Sequence, residues 1–396
     1  MAERRSDQPF SLTRGGPFHQ LAHRLRFIAP SGHLRWVALA AIAWIPLIVA
    51  SLLRIAAGAS PHPLVLDPSV HARFVISLPL LVVAETVLEA RVHHVVRLLH
   101  EERIAERAKL DAILRRVEQL RDARVVEVAL AIVALVGGQL ALWGVAGPSG
   151  YLHGPTGDAA PLRTFESIWY AVLALPLLQF LAMRWLWRWL LWTYVLVRLS
   201  RLRLETNALH PDQAAGLKFL SFPVDAFAVF IAANVAVAAA ARIIPLQQGE
   251  VTLQALGPRI AAFVGFCLAV ACGPLLLFAG KIFRARYRTL VDYHVLARDY
   301  VRSFHHKWFG PPRGHPATGE TGADSSLLGT PDLQSLHDMD GSFQLVESTK
   351  VLPFGLRTIV HLVAGAAVPI VPLLFVTIPL SEILAFLGRM LQLPML

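Results

Sequence analysis

The chain has 396 residues, of which 55% are hydrophobic and only 16% are charged. This composition is too apolar for an ordinary soluble domain and excludes the soluble enzyme and binding-module classes. The net charge of +10 is spread over several separate loops. That distribution argues against nucleic acid as a partner, because a nucleic-acid site concentrates its basic residues on one face.

Seven apolar stretches follow one another along the chain, and each reaches the length of about 20 residues that a helix needs to cross a bilayer. We therefore predict an all-α, polytopic transmembrane helical bundle. The seven predicted spans are residues 36–57, 74–96, 125–146, 167–192, 222–244, 260–280 and 358–380.

The basic residues predict the orientation of these spans. Of the 37 Lys and Arg residues, 29 lie in four segments, 1–35, 91–124, 198–220 and 281–357. The alternate loops, 58–72, 148–164 and 245–257, contain a single basic residue, Arg163. Positive charge accumulates in cytoplasmic loops, so we predict a cytoplasmic N-terminus and an external C-terminus. Basic loops beside the membrane also favour an anionic inner leaflet as a partner.

Arg outnumbers Lys by 32 to 5, and Ala and Leu are abundant. This bias is typical of a bacterial genome rich in G and C, so the predicted location is the bacterial inner membrane. The first apolar stretch follows a long polar segment and is long enough to span, which argues against a cleaved signal peptide.

The pattern divides the chain into a cytoplasmic N-terminal segment 1–35, a six-span bundle 36–280, a cytoplasmic loop 281–357 and a C-terminal part 358–396. Residues 80–136 contain no Gly or Pro, so they predict nearly continuous helix that must still reverse direction. We predict a cytoplasmic helical hairpin at 97–124, turning near 105–122. Its apolar face fits a packed or oligomerising helix, and the alternative is a site for a regulatory partner.

The loop 281–357 begins with a basic helix and continues through a Gly- and Pro-rich linker near 310–324. Thr330, Pro331 and Asp332 then predict the start of another helix. The last residues, 381–396, alternate charged and apolar types over a length too short to span. We predict that they lie at the external interface.

Span two contains two carboxylates that crossing the membrane forces into the apolar core. Glu85 and Glu89 are four residues apart, so they share one face of the helix. An ionisable side chain at such depth is costly unless it is paired, hydrated or neutralised. Glu85 and Glu89 are therefore the leading candidates for an ion or proton path.

Span four offers basic partners, Arg184 and Arg188, which are also four residues apart. A count of 1.5 Å per residue from each outer end places Arg184 near the depth of Glu89 and Gln179 near the depth of Glu85. One interpretation is an inner-interface pair of arginines among the tryptophans of an aromatic belt. The other is a polar path in which Glu85 takes up a proton or cation and Arg184 adjusts its pKa.

Two further carboxylates, Glu127 and Asp225, lie about one turn inside the cytoplasmic ends of spans three and five. They fit either an interfacial ring of charges or an inner vestibule continuous with Glu89. In the link between spans four and five, His210, Pro211 and Asp212 predict a short helix start near the membrane surface. A ligand-binding role for His210 and Asp212 is the alternative.

The stretch from His210 to Leu217, with the Leu217-Lys218-Phe219-Leu220 run, resembles a segment of uncharacterised proteobacterial multi-pass inner-membrane proteins. The run from Thr330 to Leu336, followed by Ser342-Phe343 and Leu352-Pro353-Phe354, is similar to a second such segment. The resemblance implies a bacterial inner-membrane helical protein. It implies no activity, and it transfers no functional residue.

No nucleotide-binding, metalloprotease or serine-hydrolase motif is present, and His93 and His94 lie beside arginines that oppose a metal ion. We therefore expect no enzyme activity, no cofactor and no metal site. The favoured function is a channel or transporter for a small ion. The alternative is a non-transporting scaffold or signalling subunit that binds a cytoplasmic protein or forms a homo-oligomer.

Overall fold

The computed structural model describes residues 10–12, 15, 34–60, 63–142, 164–309 and 331–372. Within these ranges the chain is helical and contains no strand, which confirms the all-α prediction. The α-helices, in chain order, are α1 (Leu34–Ala56), α2 (Pro63–Leu66), α3 (Pro68–His71), α4 (Leu78–Glu101), α5 (Arg107–Arg121), α6 (Arg124–Leu142), α7 (Phe165–Trp169), α8 (Leu175–Ser200), α9 (Val224–Ala240), α10 (Ile243–Gln247), α11 (Leu253–Cys272), α12 (Ala279–Phe309), α13 (Pro331–Glu347) and α14 (Leu356–Ala367).

Several α-helices are extended by turns of another helix type. A π-helical turn precedes α4 at Ala72–Ser77, and another precedes α8 at Tyr170–Ala174. Such turns are rare and often lie near functional sites. Short 3₁₀ segments are Lys218–Ser221, Gly273–Phe278 and Val368–Ile370.

Among the described residues, four helical segments are long and apolar enough to cross a membrane, and they correspond to predicted spans one, four, five and six. They are Val37–Ala56, Phe165–Ser200, Lys218–Ala240 and Gly257–His306. Predicted span two, which contains most of α4 with Glu85 and Glu89, is not among these four segments. Predicted spans three and seven extend past the residues that the structure describes. The structure therefore has four candidate membrane-spanning helices, and the count of seven stays a prediction.

The chain forms two compact units. The first comprises residues 1–202, 222–274 and 356–396, and the second comprises 203–221 and 275–355. The predicted division at residues 35, 280 and 357 followed membrane boundaries instead. The predicted linker at 310–324 and the predicted interfacial tail at 381–396 lie outside the described residues.

In the first unit, α4 and α8 run in the same direction. Phe74, just before α4, packs edge-on against Tyr170, just before α8, with ring centroids 6.1 Å apart. Farther along both helices, Glu85 pairs with Arg184. Helix α6 runs the opposite way, because its first turn approaches the middle of α8, whereas Gly137, later in α6, lies near the earlier residue Gln179 of α8.

Helices α9 and α14 also run opposite to α4. The side chain of Asp225, in the first turn of α9, contacts Arg91 in the second half of α4. Asp225 also lies 3.3 Å from His361 in the middle of α14. Farther along, Gly365 of α14 lies so close to the carbonyl of Ala228 that a Cβ at Gly365 would collide with it. Glycine is therefore what permits this close helix contact.

Aromatic side chains form the core between α8 and α9. Trp185 stacks on Phe230 with centroids 4.2 Å apart and meets Phe227 edge-on at 5.1 Å. Trp189 meets Phe227 edge-on at 4.9 Å. Trp185 and Trp189 are both fully buried. These tryptophans pack inside the protein, whereas the belt interpretation placed them at the lipid interface.

The segment predicted as a hairpin, 97–124, contains the end of α4, all of α5 and the first residue of α6. Helix α4 ends at Glu101, and the following turn includes Arg103 in the left-handed backbone region with φ of 52°. Helix α5 then packs its apolar residues inward, and α6 begins at Arg124. The chain therefore turns at two short breaks, whereas the sequence predicted one turn near 105–122.

The second unit is built on α12 and α13, with the loop 203–221 beside them. Arg286 of α12 donates a hydrogen bond of 2.8 Å to the carbonyl of Glu347 at the end of α13. The buried hydroxyl of Thr349 donates to the carbonyl of Ala208 at 3.1 Å. The amide of Lys350 donates to the carbonyl of Gln213 at 2.8 Å. The residues after α13 therefore hold the loop by one side-chain and one backbone hydrogen bond.

Candidate functional site: a buried Glu/Arg cluster

Four charged side chains from three helices meet inside the first unit, and Glu89 is linked to them through the backbone of Leu12. We call these five residues the Glu/Arg cluster: Glu85 and Glu89 of α4, Glu127 of α6, and Arg184 and Arg188 of α8. Each pair on one helix is spaced by four residues, so both of its members project from the same face. Arg184, Arg188 and Glu127 are buried, and Arg188 is only 1% exposed.

The shortest ion pair of the cluster joins Arg184 to Glu85. The Nη2 atom of Arg184 lies 3.0 Å from Oε1 of Glu85, and the side chain of Glu85 is 20% exposed against 6% for Arg184. Depth counting placed Arg184 near the level of Glu89, whereas this ion pair joins it to Glu85, one turn earlier on α4. Because α4 and α8 run in the same direction, their side chains lean the same way, and the longer arginine side chain reaches back farther, to the level of Glu85.

Glu127 lies between the two arginines. Its Oε1 atom is 3.9 Å from Nε of Arg184 and 3.9 Å from Nη2 of Arg188. The sequence left open an interfacial ring or an inner vestibule for Glu127. The structure brings this carboxylate into the same cluster as Glu85, so one arginine, Arg184, contacts carboxylates from two different helices.

Backbone groups of the N-terminal segment complete the cluster. The amide of Leu12 donates a 2.9 Å hydrogen bond to Oε2 of Glu89. The carbonyl of Leu12 accepts from Nη1 of Arg188, and the carbonyl of Gly15 accepts from Nη2 of the same arginine at 3.5 Å. Leu12 itself is fully buried. Sequence reasoning missed these contacts because backbone groups carry no residue-specific signal.

Gly15 adopts a backbone conformation that residues with a side chain rarely adopt. Its φ is 154°, and a Cβ there would collide with the side chains of Asp122 and Arg121. Arg121 donates to the carbonyl of Ser11 and makes two hydrogen bonds of 2.8 Å with Asp122. The α5–α6 junction therefore holds the N-terminal segment against the cluster.

Gln179 lies on α8 away from the ion pairs. Its Oε1 atom is buried, and no hydrogen-bond donor reaches it from the described residues. A Cβ at Gly137 of α6 would lie 3.5 Å from this oxygen. The structure therefore places Gln179 against α6, one turn before Arg184, and records no contact between Gln179 and Glu85.

Asp225 belongs to a separate group of charges. Its Oδ2 atom lies 3.1 Å from Nη2 of Arg91, and its Oδ1 atom lies 3.3 Å from Nδ1 of His361. The side chain of Asp225 is 29% exposed. Asp225 thus links α4, α9 and α14 and makes no recorded contact with the Glu/Arg cluster.

The His210–Asp212 loop lies in the second unit, and Asp212 organises its backbone. The carboxylate accepts hydrogen bonds from the amides of Ala214, Gly216 and Lys218 at 2.8, 3.0 and 3.0 Å. Partial burial of the Asp212 carboxyl opposes its ionisation. The three amides and the nearby His210 outweigh that effect and hold the pKa of Asp212 below its ordinary value.

His210 has two polar neighbours within this loop. Its Nδ1 atom lies 3.2 Å from the amide nitrogen of Asp212 and 3.0 Å from the Oδ1 atom of that residue. A neutral Nδ1 accepts from the amide, whereas a protonated Nδ1 donates to the carboxylate. Gln213 and Ala215, with φ of 57° and 55°, adopt the left-handed backbone region. Asp212 therefore stabilises a strained turn rather than presenting a free carboxylate to a ligand.

A second polar contact between α4 and α8 lies at their beginnings, and the sequence reasoning did not single it out. The guanidinium of Arg73 donates to the hydroxyl of Tyr170, which is 2% exposed. Each residue lies in one of the two π-helical turns. The occurrence of π-helical turns has no marker in the sequence, which explains the omission.

Among the described residues, no group of three or more His, Cys, Asp or Glu side chains is placed to hold a metal ion. A comparison of the chain with protein-family models, curated proteins and solved structures finds no match.

Proposed function

We propose that this chain is a multi-pass protein of the bacterial inner membrane with seven spans, a cytoplasmic N-terminus and an external C-terminus. The asymmetric distribution of basic loops supports this orientation. Four long apolar helices support a membrane location. The helix directions add support, because α4 and α8 run one way and α6, α9 and α14 the other, as alternating spans require.

For its activity, we propose transport of a small cation, in the first place a proton, through Glu85. The observation that carries this proposal is that Arg184 is shared by two carboxylates, at 3.0 Å from Glu85 and 3.9 Å from Glu127. Protonation of Glu85 removes the charge that holds Arg184, and the guanidinium then gains by moving toward Glu127. Loss of the proton reverses the exchange.

The exposures of the pair fit this role. Arg184 is enclosed by protein, whereas a fifth of the Glu85 side chain is accessible. A proton or small cation can thus approach the carboxylate without first displacing the arginine. Glu127 is buried, so it acts as the internal alternative partner for Arg184.

The test is a pH-driven flux assay on purified protein in liposomes. Wild-type protein is expected to carry proton flux above that of empty liposomes, and Glu85→Gln is expected to abolish it. The matched control is Glu101→Gln, which removes an exposed carboxylate from the end of the same helix. Equal flux in Glu85→Gln and wild type would eliminate Glu85 as the site, and wild-type flux at the empty-liposome level would eliminate transport.

The alternative is a non-transporting scaffold or signalling subunit. Its partner would be a cytoplasmic protein or a second copy of the chain. One observation favours it: the backbone of Leu12 and Gly15 locks Arg188 in place. A static cluster of this kind stabilises a bundle without moving an ion. Wild-type protein without flux, combined with a stoichiometric partner that remains bound through purification, would support this second function.

A further inference from the structure

A second polar site lies between α5 and the end of α8, away from the Glu/Arg cluster. A cavity of about 380 Å³ opens there. Lys109 and Arg116 of α5 line one side, and Arg198 and Arg201 line the other with Tyr194. No carboxylate lines the cavity. Four basic side chains from two separate stretches of chain therefore converge on one concave surface.

The partners of these basic residues leave most of their charge available. Lys109 lies 2.5 Å from Glu106, so that pair is partly neutralised. In the described part of the chain, Arg116 donates only to the neutral amide oxygen of Gln119, at 3.1 Å. Within the described residues, the side chains of Arg198 and Arg201 have no recorded ion pair or hydrogen bond. Arg116, Arg198 and Arg201 thus carry the positive potential of the cavity.

The simplest structural explanation covers only part of this arrangement. Arg198 and Arg201 lie at the C-terminal end of α8, where cations interact favourably with the helix dipole. That effect does not require Arg116 and Lys109 to face the same space from another helix. It also leaves unexplained an apolar wall, which includes Ile113, beside the four charges.

We propose that this cavity binds a phosphate-bearing anion, through Arg116, Arg198 and Arg201 with the hydroxyl of Tyr194 as a further donor. Guanidinium groups bind phosphate with paired hydrogen bonds, which suits arginine better than lysine for this role. Basic pockets between membrane helices are recognised sites for phospholipid headgroups. The ligand is either such a headgroup or a free phosphate compound, and both offer the same chemistry to the arginines.

The experiment measures the melting temperature of detergent-purified protein with three probes: a short-chain phosphatidylglycerol, phosphatidylcholine of the same chain length, and inorganic pyrophosphate. Stabilisation by phosphatidylglycerol alone identifies a lipid headgroup as the ligand. Stabilisation by pyrophosphate identifies a soluble phosphate compound. If no probe stabilises the wild-type protein, or if phosphatidylcholine stabilises it as much as phosphatidylglycerol, the proposal is overturned.

Variants locate the effect in the cavity. Arg198→Gln with Arg201→Gln is expected to weaken binding of the anionic probe by about 25-fold, at about fivefold per arginine. Arg116→Gln is a second, independent variant in the opposite wall. The matched control is Arg115→Gln, an exposed neighbour that does not line the cavity. Equal loss in Arg115→Gln, or full binding in both cavity variants, would refute the site.

The result does not depend on transport. A protein without proton flux that still binds the anion would remove the proposed transport and leave this site intact. Conversely, flux that persists in Arg198→Gln with Arg201→Gln would show that the two sites act separately.

Discussion

The Glu127→Gln substitution tests the Glu/Arg cluster most directly, because it removes one charge and nearly preserves the side-chain shape. Glu127 lies 3.9 Å from nitrogen atoms of both Arg184 and Arg188. Two opposite charges at about 4 Å attract by about 4 kcal/mol at an effective dielectric constant of 20. Desolvation offsets much of this attraction, so the two pairs together are not worth the full sum.

The net magnitude follows from what the substitution leaves behind. Arg188 is 1% exposed, and without Glu127 its remaining described contacts are the carbonyls of Leu12 and Gly15. Removing one partner of a buried ion pair typically costs about 3–5 kcal/mol. Because a chain this long shifts its melting midpoint by about 2 °C per kcal/mol, we expect a decrease of about 6 °C or more.

Thermal unfolding in detergent, followed by intrinsic tryptophan fluorescence, provides the assay. The control is Glu101→Gln, which breaks an exposed pair with Arg97 at 3.8 Å. Exposed pairs contribute about 0.5 kcal/mol, so the control is expected to melt within about 1 °C of wild type. If Glu127→Gln also melted within that range, the buried cluster would not contribute to stability, and our reasoning from its geometry would fail.

Three other perturbations address separate contacts. Asp212→Asn is expected to speed amide hydrogen exchange in residues 213–218, and equal exchange in both proteins at neutral pH would refute the role of Asp212. Because the folded pKa of Asp212 lies below the ordinary value of 3.8, its stabilising effect is present above that pH and is lost as the pH falls through the lower folded pKa. Leu12→Pro removes the amide that donates to Glu89 and should lower the melting temperature more than Leu12→Ala, and equal melting temperatures would contradict a stabilising role for that hydrogen bond. Gly365→Ala should destabilise the α9–α14 contact by roughly 1–3 kcal/mol, since its Cβ collides with the carbonyl of Ala228, and an unchanged melting temperature would contradict the close packing.

The sequence predicted the helical class and the buried Glu and Arg residues, because apolar length and intramembrane charge are local properties of the chain. It could not predict which Glu meets which Arg. That choice depends on the direction in which side chains lean and on the relative level of two helices, as the Glu85–Arg184 pair shows. The location of Glu127 stayed open for the same reason, because its distance from Arg188 depends on how the helices pack.

The short breaks around α5 were also beyond the sequence pattern. Residues 80–136 lack Gly and Pro, so no residue type marks the turn that Arg103 makes with positive φ. The sequence did not reveal the role of Asp212 for a different reason. A carboxylate beside a histidine suggests a ligand site, but three backbone amides occupy it once the loop folds.

The N-terminal contacts with the Glu/Arg cluster have a consequence for how this chain tolerates change. Leu12 contributes an amide and a carbonyl, and Gly15 contributes a carbonyl. The hydrogen bonds of Arg188 and Glu89 therefore depend on the spacing of these main-chain groups. A substitution at position 12 that keeps its volume preserves every one of these hydrogen bonds. Deleting a single residue between Leu12 and Gly15 would move one carbonyl out of reach of Arg188. Apart from Gly15, whose backbone conformation disfavours a side chain, natural variation at this site should therefore preserve segment length more strictly than residue identity.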